Sequence, residues 1–214
     1  MGPLAPLFCE QGANHGLAWW HYQRDEDLRD YLTRLIPAFA DPDRSNTARM
    51  LMATAVLVNR TGFVEQRIMT AFSAIEHLAW VRFVLEGGTS KRQYEEELRG
   101  AGNRLKRLLQ DAHIPIDIDP QVHPALAQFA ADKASGGAPL DGPTAVAYVR
   151  NRLVHPDARR DDIYRRRPML SESWLLTRHY LVLLLLHWIG YTGLYQKVLG
   201  PGGWAGEVEP VPWV

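Results

Sequence analysis

Along most of this chain apolar residues recur every three or four positions, the spacing of a helix that buries one face. From Asp25 to Phe39 the positions Leu28, Leu32, Leu35 and Ile36 carry the pattern, and Asp41-Pro42-Asp43 ends it, because a residue before proline is pushed out of helical backbone. A second helix is predicted from Ser45 to about Arg60 through Met50, Leu51, Ala55 and Val56. Past Thr61-Gly62, Phe63 to Leu85 forms the clearest stripe, Ile68-Phe72-Ile75-Ala79-Phe83, closed by Gly87-Gly88. Ser90 with Gln93 makes a capping box for a heavily charged helix from about Lys91 to Ala112, expected to face solvent. A loop from Pro115 to Pro120, a short helix from Gln121 to Lys133, and a small-residue connection from Ala134 to Gly142 follow. Pro143 then stands where a first helical residue belongs, and that helix runs to Val154, stopped by His155-Pro156. After an arginine-rich loop, Ser171 or Ser173 is expected to cap a last long helix reaching about Leu199, apolar almost all the way round.

No alternation typical of a strand holds over more than a few residues, so the expected fold class is all-α: a helical bundle with a long apolar C-terminal helix. Residues 1–44 read as an N-terminal extension, irregular plus one helix and containing Trp19 and Trp20. Residues 45–199 read as the helical domain, and 200–214 as a Gly/Pro-rich tail with Trp204 and Trp213. The most apolar run, Tyr180 to Tyr195, is shorter than a usual membrane span and contains His187, which makes it a buried core helix. Met1 to Phe8 lacks the basic start and long apolar core of a signal peptide.

Composition changes this picture little. The chain has 214 residues, 46% hydrophobic and 22% charged, enough to bury a sizeable core. Its formal net charge is zero, so a polyanionic partner has to be held by a local patch. Cys9 is the only cysteine, which rules out an intramolecular disulfide framework and a cysteine-based zinc site and fits a cytoplasmic setting. No HExxH, Walker loop or GxSxG occurs, and His77, His113, His123 and His179 show no metal-ligand spacing. The expected cofactor list is empty.

The candidate chemistry sits at the end of the helix that closes on His155. At about 100° per residue, Arg150 and His155 stand about 140° apart, whereas Asn151 and His155, four apart, share a face. Pro156 disfavours helical backbone at His155, leaving the imidazole at the helix end and able to swing toward Arg150. The stretch offers a guanidinium for a phosphate, an ionisable imidazole and an amide to orient it. Glu76, at the margin of the Ile68-to-Phe83 stripe, needs a partner if it faces the core, and Arg150 is a natural one. From Arg150 to Arg167 there are seven arginines and three aspartates. Arg152, Arg159, Arg160, Arg165, Arg166 and Arg167 thus form a candidate phosphate-contacting patch, with Tyr164 placed to stack on a base.

Arg150-Asn151-Arg152-Leu153-Val154-His155 resembles the Arg-x4–6-His motif of the HEPN superfamily, and Ala71 to Leu78 looks like the helix with a core-facing glutamate found in its ApeA-like and abortive-infection branches. The likeness covers about residues 45–199. Residues 1–44 have no counterpart in it, and the loop from Asp157 to Pro168 is richer in arginine than the motif requires. The resemblance implies a homodimer with two motifs in one cleft and a metal-independent endoribonuclease. In it the ribose 2′-hydroxyl attacks the adjacent phosphate, His155 moves the proton, Arg150 stabilises phosphoryl charge and Asn151 orients His155 or touches the phosphate. Toxin or antiviral-defence roles, with an antitoxin or regulatory partner, belong to the same implication. The alternative is a HEPN-like module without activity, serving dimerisation, nucleotide binding or adaptor roles.

Overall fold

A computed structural model describes residues 19, 24–60, 63–134, 137–155, 162–197, 199 and 208–214, apart from the side chains of residues 60, 162 and 167. Its helices are α1 (Asp25–Ala40), α2 (Ser45–Arg60), α3 (Val64–Trp80), α4 (Lys91–Glu97), α5 (Ala101–Asp111), α6 (Pro124–Asp132), α7 (Gly142–Val154), α8 (Asp162–Arg165) and α9 (Arg167–Trp188). α3 runs on without a break into a π-helical stretch, Val81–Glu86. Among the described residues the all-α expectation is met but for one pair of short strands. β1 (Leu194–Gln196) lies antiparallel to β2 (Val208–Pro210), with Tyr195 opposite Glu209.

α3 and α9 form the centre, with α2, α5 and α7 packed against α3. The α3 stripe buries Ile68, Ala71, Phe72, Ala74, Ile75, Leu78 and Ala79, the i, i+3, i+4, i+7 set of one helical face. Facing it, α9 buries Leu175, Leu176, Tyr180, Leu181 and Leu183 to Leu186. Among the described residues the helix long and apolar enough, by length and composition, to cross a membrane is Val64–Glu86, whereas the long apolar helix was expected at the C-terminus. Half of its apolar window is buried inside the protein.

The last helix differs at both ends from the sequence expectation. It begins at Arg167 with Pro168 in its first turn, not at a Ser171 or Ser173 cap: Ser171 Oγ donates to Pro168 O at 2.8 Å, and Ser173 is wholly buried. It stops at Trp188 rather than Leu199, because Gly190 takes φ +73 and closes a Schellman turn. There the Gly190 N–H donates to His187 O and the Tyr191 N–H donates to Leu186 O, both at 2.9 Å. Guanidinium groups from the N-terminal region complete this end: Arg44 Nη2 donates to Trp188 O at 2.9 Å, and Arg34 also donates to Gly190 O. Cations at a helix C-terminus satisfy orphan carbonyls and complement the dipole. The apolar run beyond Gly190 therefore serves β1, not more helix.

The expected helix from Lys91 to Ala112 is two. The Ser90–Gln93 capping box starts α4, but the chain turns at Gly100 (φ +89) and α5 begins anew. Nor is α5 a solvent-facing element, since it buries Ala101, Leu105, Leu108 and Leu109. Tyr31 and Leu35 of α1 and Val211 after β2 share one hydrophobic cluster with Phe72 and Leu184. Trp19 packs on Tyr31 and Tyr191, at ring distances of 4.7 and 5.4 Å.

Candidate functional site

The helix carrying the motif is fixed from its start. Asp141 is the N-cap of α7: its Oδ1 accepts the Thr144 N–H at 2.9 Å, and its Oδ2 accepts Lys106 Nζ at 2.7 Å. Burial pushes the Asp141 carboxyl up, but the Lys106 and Thr144 contacts outweigh it and leave it below its ordinary value. Gly142, the first helical residue, lies so close to its neighbours that a Cβ there would overlap the Tyr180 hydroxyl and stand 2.8 Å from Ile116 O. These contacts set the rotation and depth of α7, and so where Arg150 emerges.

Arg150 meets Glu76 across the α3–α7 contact, with Nη2 to Oε2 at 2.9 Å. The side chains are 23% and 27% exposed, partly desolvated yet reachable. Arg150 Nη1 donates to Asn151 Oδ1 at 3.0 Å, and the guanidinium stands 6.0 Å from the Phe72 ring centroid. Asn151 Oδ1 thus meets Arg150 rather than the His155 imidazole. His155 ends α7 with its backbone N–H on Asn151 O at 2.8 Å. It is exposed, and its imidazole makes no hydrogen bond among the described residues.

Among the described members of the expected patch, Arg152 and Arg166 are engaged by neighbouring side chains. Arg152 turns back along α7, donating to the Tyr148 hydroxyl at 2.9 Å and lying 5.0 Å over its ring. Arg166 pairs with Asp132 and approaches the Phe129 ring at 5.9 Å, which gives it a role in docking α6. Tyr164 and Arg165 are exposed on α8. Arg159, Arg160 and the Arg167 side chain lie outside the described residues.

Arg104 of α5 does not stand out in the sequence. Its Nη1 lies 3.6 Å from Glu76 Oε1, so one carboxylate is shared by two guanidinium groups. Its Nε donates to Leu98 O at 3.1 Å, and its guanidinium lies 4.7 Å from the Tyr94 ring centroid. The signal that could have found it is the Ala101-Leu105-Leu108-Leu109 stripe, which turns α5 inward and puts Arg104 at its border.

This geometry lies within a region that matches a known family, the YopA C-terminal domain, over residues 48–209. The chain belongs to that family. Glu76, Arg104, Arg150, Asn151 and His155 all fall inside the YopA C-terminal domain match. The SPbeta prophage-derived uncharacterized protein YopA of Bacillus subtilis (strain 168) is 23% identical over 205 residues, a match covering 94% of this chain. The chain spans 43% of that relative's length. No solved structure matches.

Proposed function

We propose that this YopA C-terminal domain is a metal-independent endoribonuclease of the HEPN type, acting at a site formed where two copies meet. The observation that carries the reading is Arg150, held between Glu76 and Asn151 five residues before an exposed His155. A partly desolvated guanidinium is suited to a phosphodiester, and an exposed imidazole is free to exchange protons with solvent and ribose. In one copy these groups leave α7 in different directions, so the single chain lacks a complete acid–base set. A two-fold axis beside the end of α7 supplies a second arginine and a second histidine without further sequence.

In the proposed reaction one His155 accepts the proton of the ribose 2′-hydroxyl as its oxygen attacks the adjacent phosphorus. The P–O5′ bond breaks, and the second His155 protonates the leaving 5′-oxygen. The products are a 2′,3′-cyclic phosphate and a 5′-hydroxyl. Arg150 stabilises charge on the non-bridging oxygens. The prophage origin in the relative's name supports a toxin or antiviral-defence setting, with cytoplasmic RNA as substrate and an antitoxin or similar partner holding it silent.

A second reading, an inactive dimerisation, nucleotide-binding or adaptor module, is favoured by Asn151 being taken up by Arg150 and leaving His155 unoriented. Cleavage of single-stranded RNA in EDTA separates the two. The ribonuclease reading expects wild type to yield cyclic-phosphate ends and His155→Ala to be inert. Equal products from both proteins, or activity abolished by EDTA, would sink it.

A further inference from the structure

We propose that Arg104 completes the anion site around Arg150, so that the two guanidinium groups together hold the phosphodiester backbone of single-stranded RNA. This deepens the reading above and rests on it for the identity of the ligand. Arg150 and Glu76 alone make a neutral pair, and a neutral pair offers a phosphate little net attraction. Arg104, on the other oxygen of the same carboxylate, turns that pair into a group of net charge plus one. Among the described residues no second carboxylate pairs with either arginine. Both arginine side chains are 23% exposed and Glu76 27%, a setting where charge is screened less than on an open surface.

Arg104 is also held independently of Glu76. It donates to Leu98 O, and its plane rests on Tyr94, which is buried and packs edge-on against Trp80 at 5.4 Å. Its place is set by the turn at Gly100, which restarts the helix so that α5 packs against both α3 and α7. Glu76 is thus divided between two cations from separate helices. Arg150 keeps one edge on Glu76 and turns its other nitrogen toward Asn151 at the surface. An incoming phosphate meets a site that is cationic as a whole, whereas without Arg104 the carboxylate would neutralise Arg150.

The test is fluorescence anisotropy with a short labelled oligouridylate over a range of salt, on wild type, Arg104→Gln and Arg104→Lys, with melting temperatures measured alongside. Arg104→Gln is expected to bind about tenfold more weakly at low salt, as for one lost charge-assisted contact. Its slope of log affinity against log salt should fall by about 0.7, the single-strand value for one phosphate contact. Arg104→Lys should keep most of the slope, which a purely structural loss would not restore. If Arg104→Gln loses the slope increment but wild type cuts no RNA, the ribonuclease reading fails and the anion site stands. Unchanged affinity and slope in Arg104→Gln overturn the inference, as does wild type that does not bind the oligouridylate.

Discussion

Replacing Glu76 by alanine removes a carboxylate that two arginines share, at 2.9 and 3.6 Å, across three helices. A buried hydrogen bond to a charged group contributes about 1.5–3 kcal/mol. An exposed ion pair contributes only about 0.2–1 kcal/mol. With side chains roughly three-quarters covered, the short Arg150 contact falls toward the lower end of the buried range. The longer Arg104 contact falls in the exposed range. Both arginines are open enough to turn to water once Glu76 is gone, which limits the penalty from stranded charge. The expected loss is about 2 kcal/mol for Glu76→Ala and about half that for Glu76→Gln, whose amide oxygen still accepts a hydrogen bond. For a chain of this size each kcal/mol shifts the melting temperature by about 2–4 °C, so Glu76→Ala should melt about 4–8 °C lower. Circular dichroism melts at low salt and at roughly 0.5 M salt measure this, and the gap should narrow as salt screens the pairs. A cycle through Arg150→Ala isolates the direct term. A melting temperature within about 1 °C of wild type, or additivity with Arg150→Ala, would refute the reasoning.

Other substitutions probe how the site is held. Gly142→Ala pushes a methyl into the Tyr180 hydroxyl and against Ile116 O, and overpacking of this kind costs about 1–3 kcal/mol. Urea unfolding should show that loss; a stability equal to wild type would mean the contact relaxes freely. Stability should also fall in acid. Burial, helped by Lys197, Arg178 and His123, pushes His179 down to about 3, and burial likewise lowers His123, His187 and His77. A histidine depressed in the fold stabilises fully above its unfolded value near 6.5, and that stability is lost as pH falls from there toward 3. By about pH 5, His179 alone accounts for about 2 kcal/mol. Urea midpoints that do not change between roughly pH 7 and pH 5 would contradict this.

The glutamate–arginine pair is legible in the sequence because both residues answer to a helical period. Ile68, Phe72, Ile75 and Ala79 define a buried face whose margin falls at Glu76, and the cost of covering a carboxylate demands a cation. Arg104 is hidden because the charges around it mask the stripe of α5, and a helix that looks solvated offers no reason to seek a core-facing contact. Charge along a chain is counted whatever its direction, yet Arg152 folds onto Tyr148 and Arg166 onto Asp132.

Local spacing alone specifies the helical class, the α3 stripe, the Ser90 capping box, the helix that stops at His155, and the chemistry of the groups at its end. These follow from interactions among residues a few positions apart, which the order of residues records directly. Packing between helices settles the rest: Glu76 is divided between α5 and α7, and α9 closes at the Gly190 turn under Arg34 and Arg44. Each of these joins side chains from different helices or depends on which backbone groups packing leaves to be satisfied. A chain has no long-range distances until it is folded.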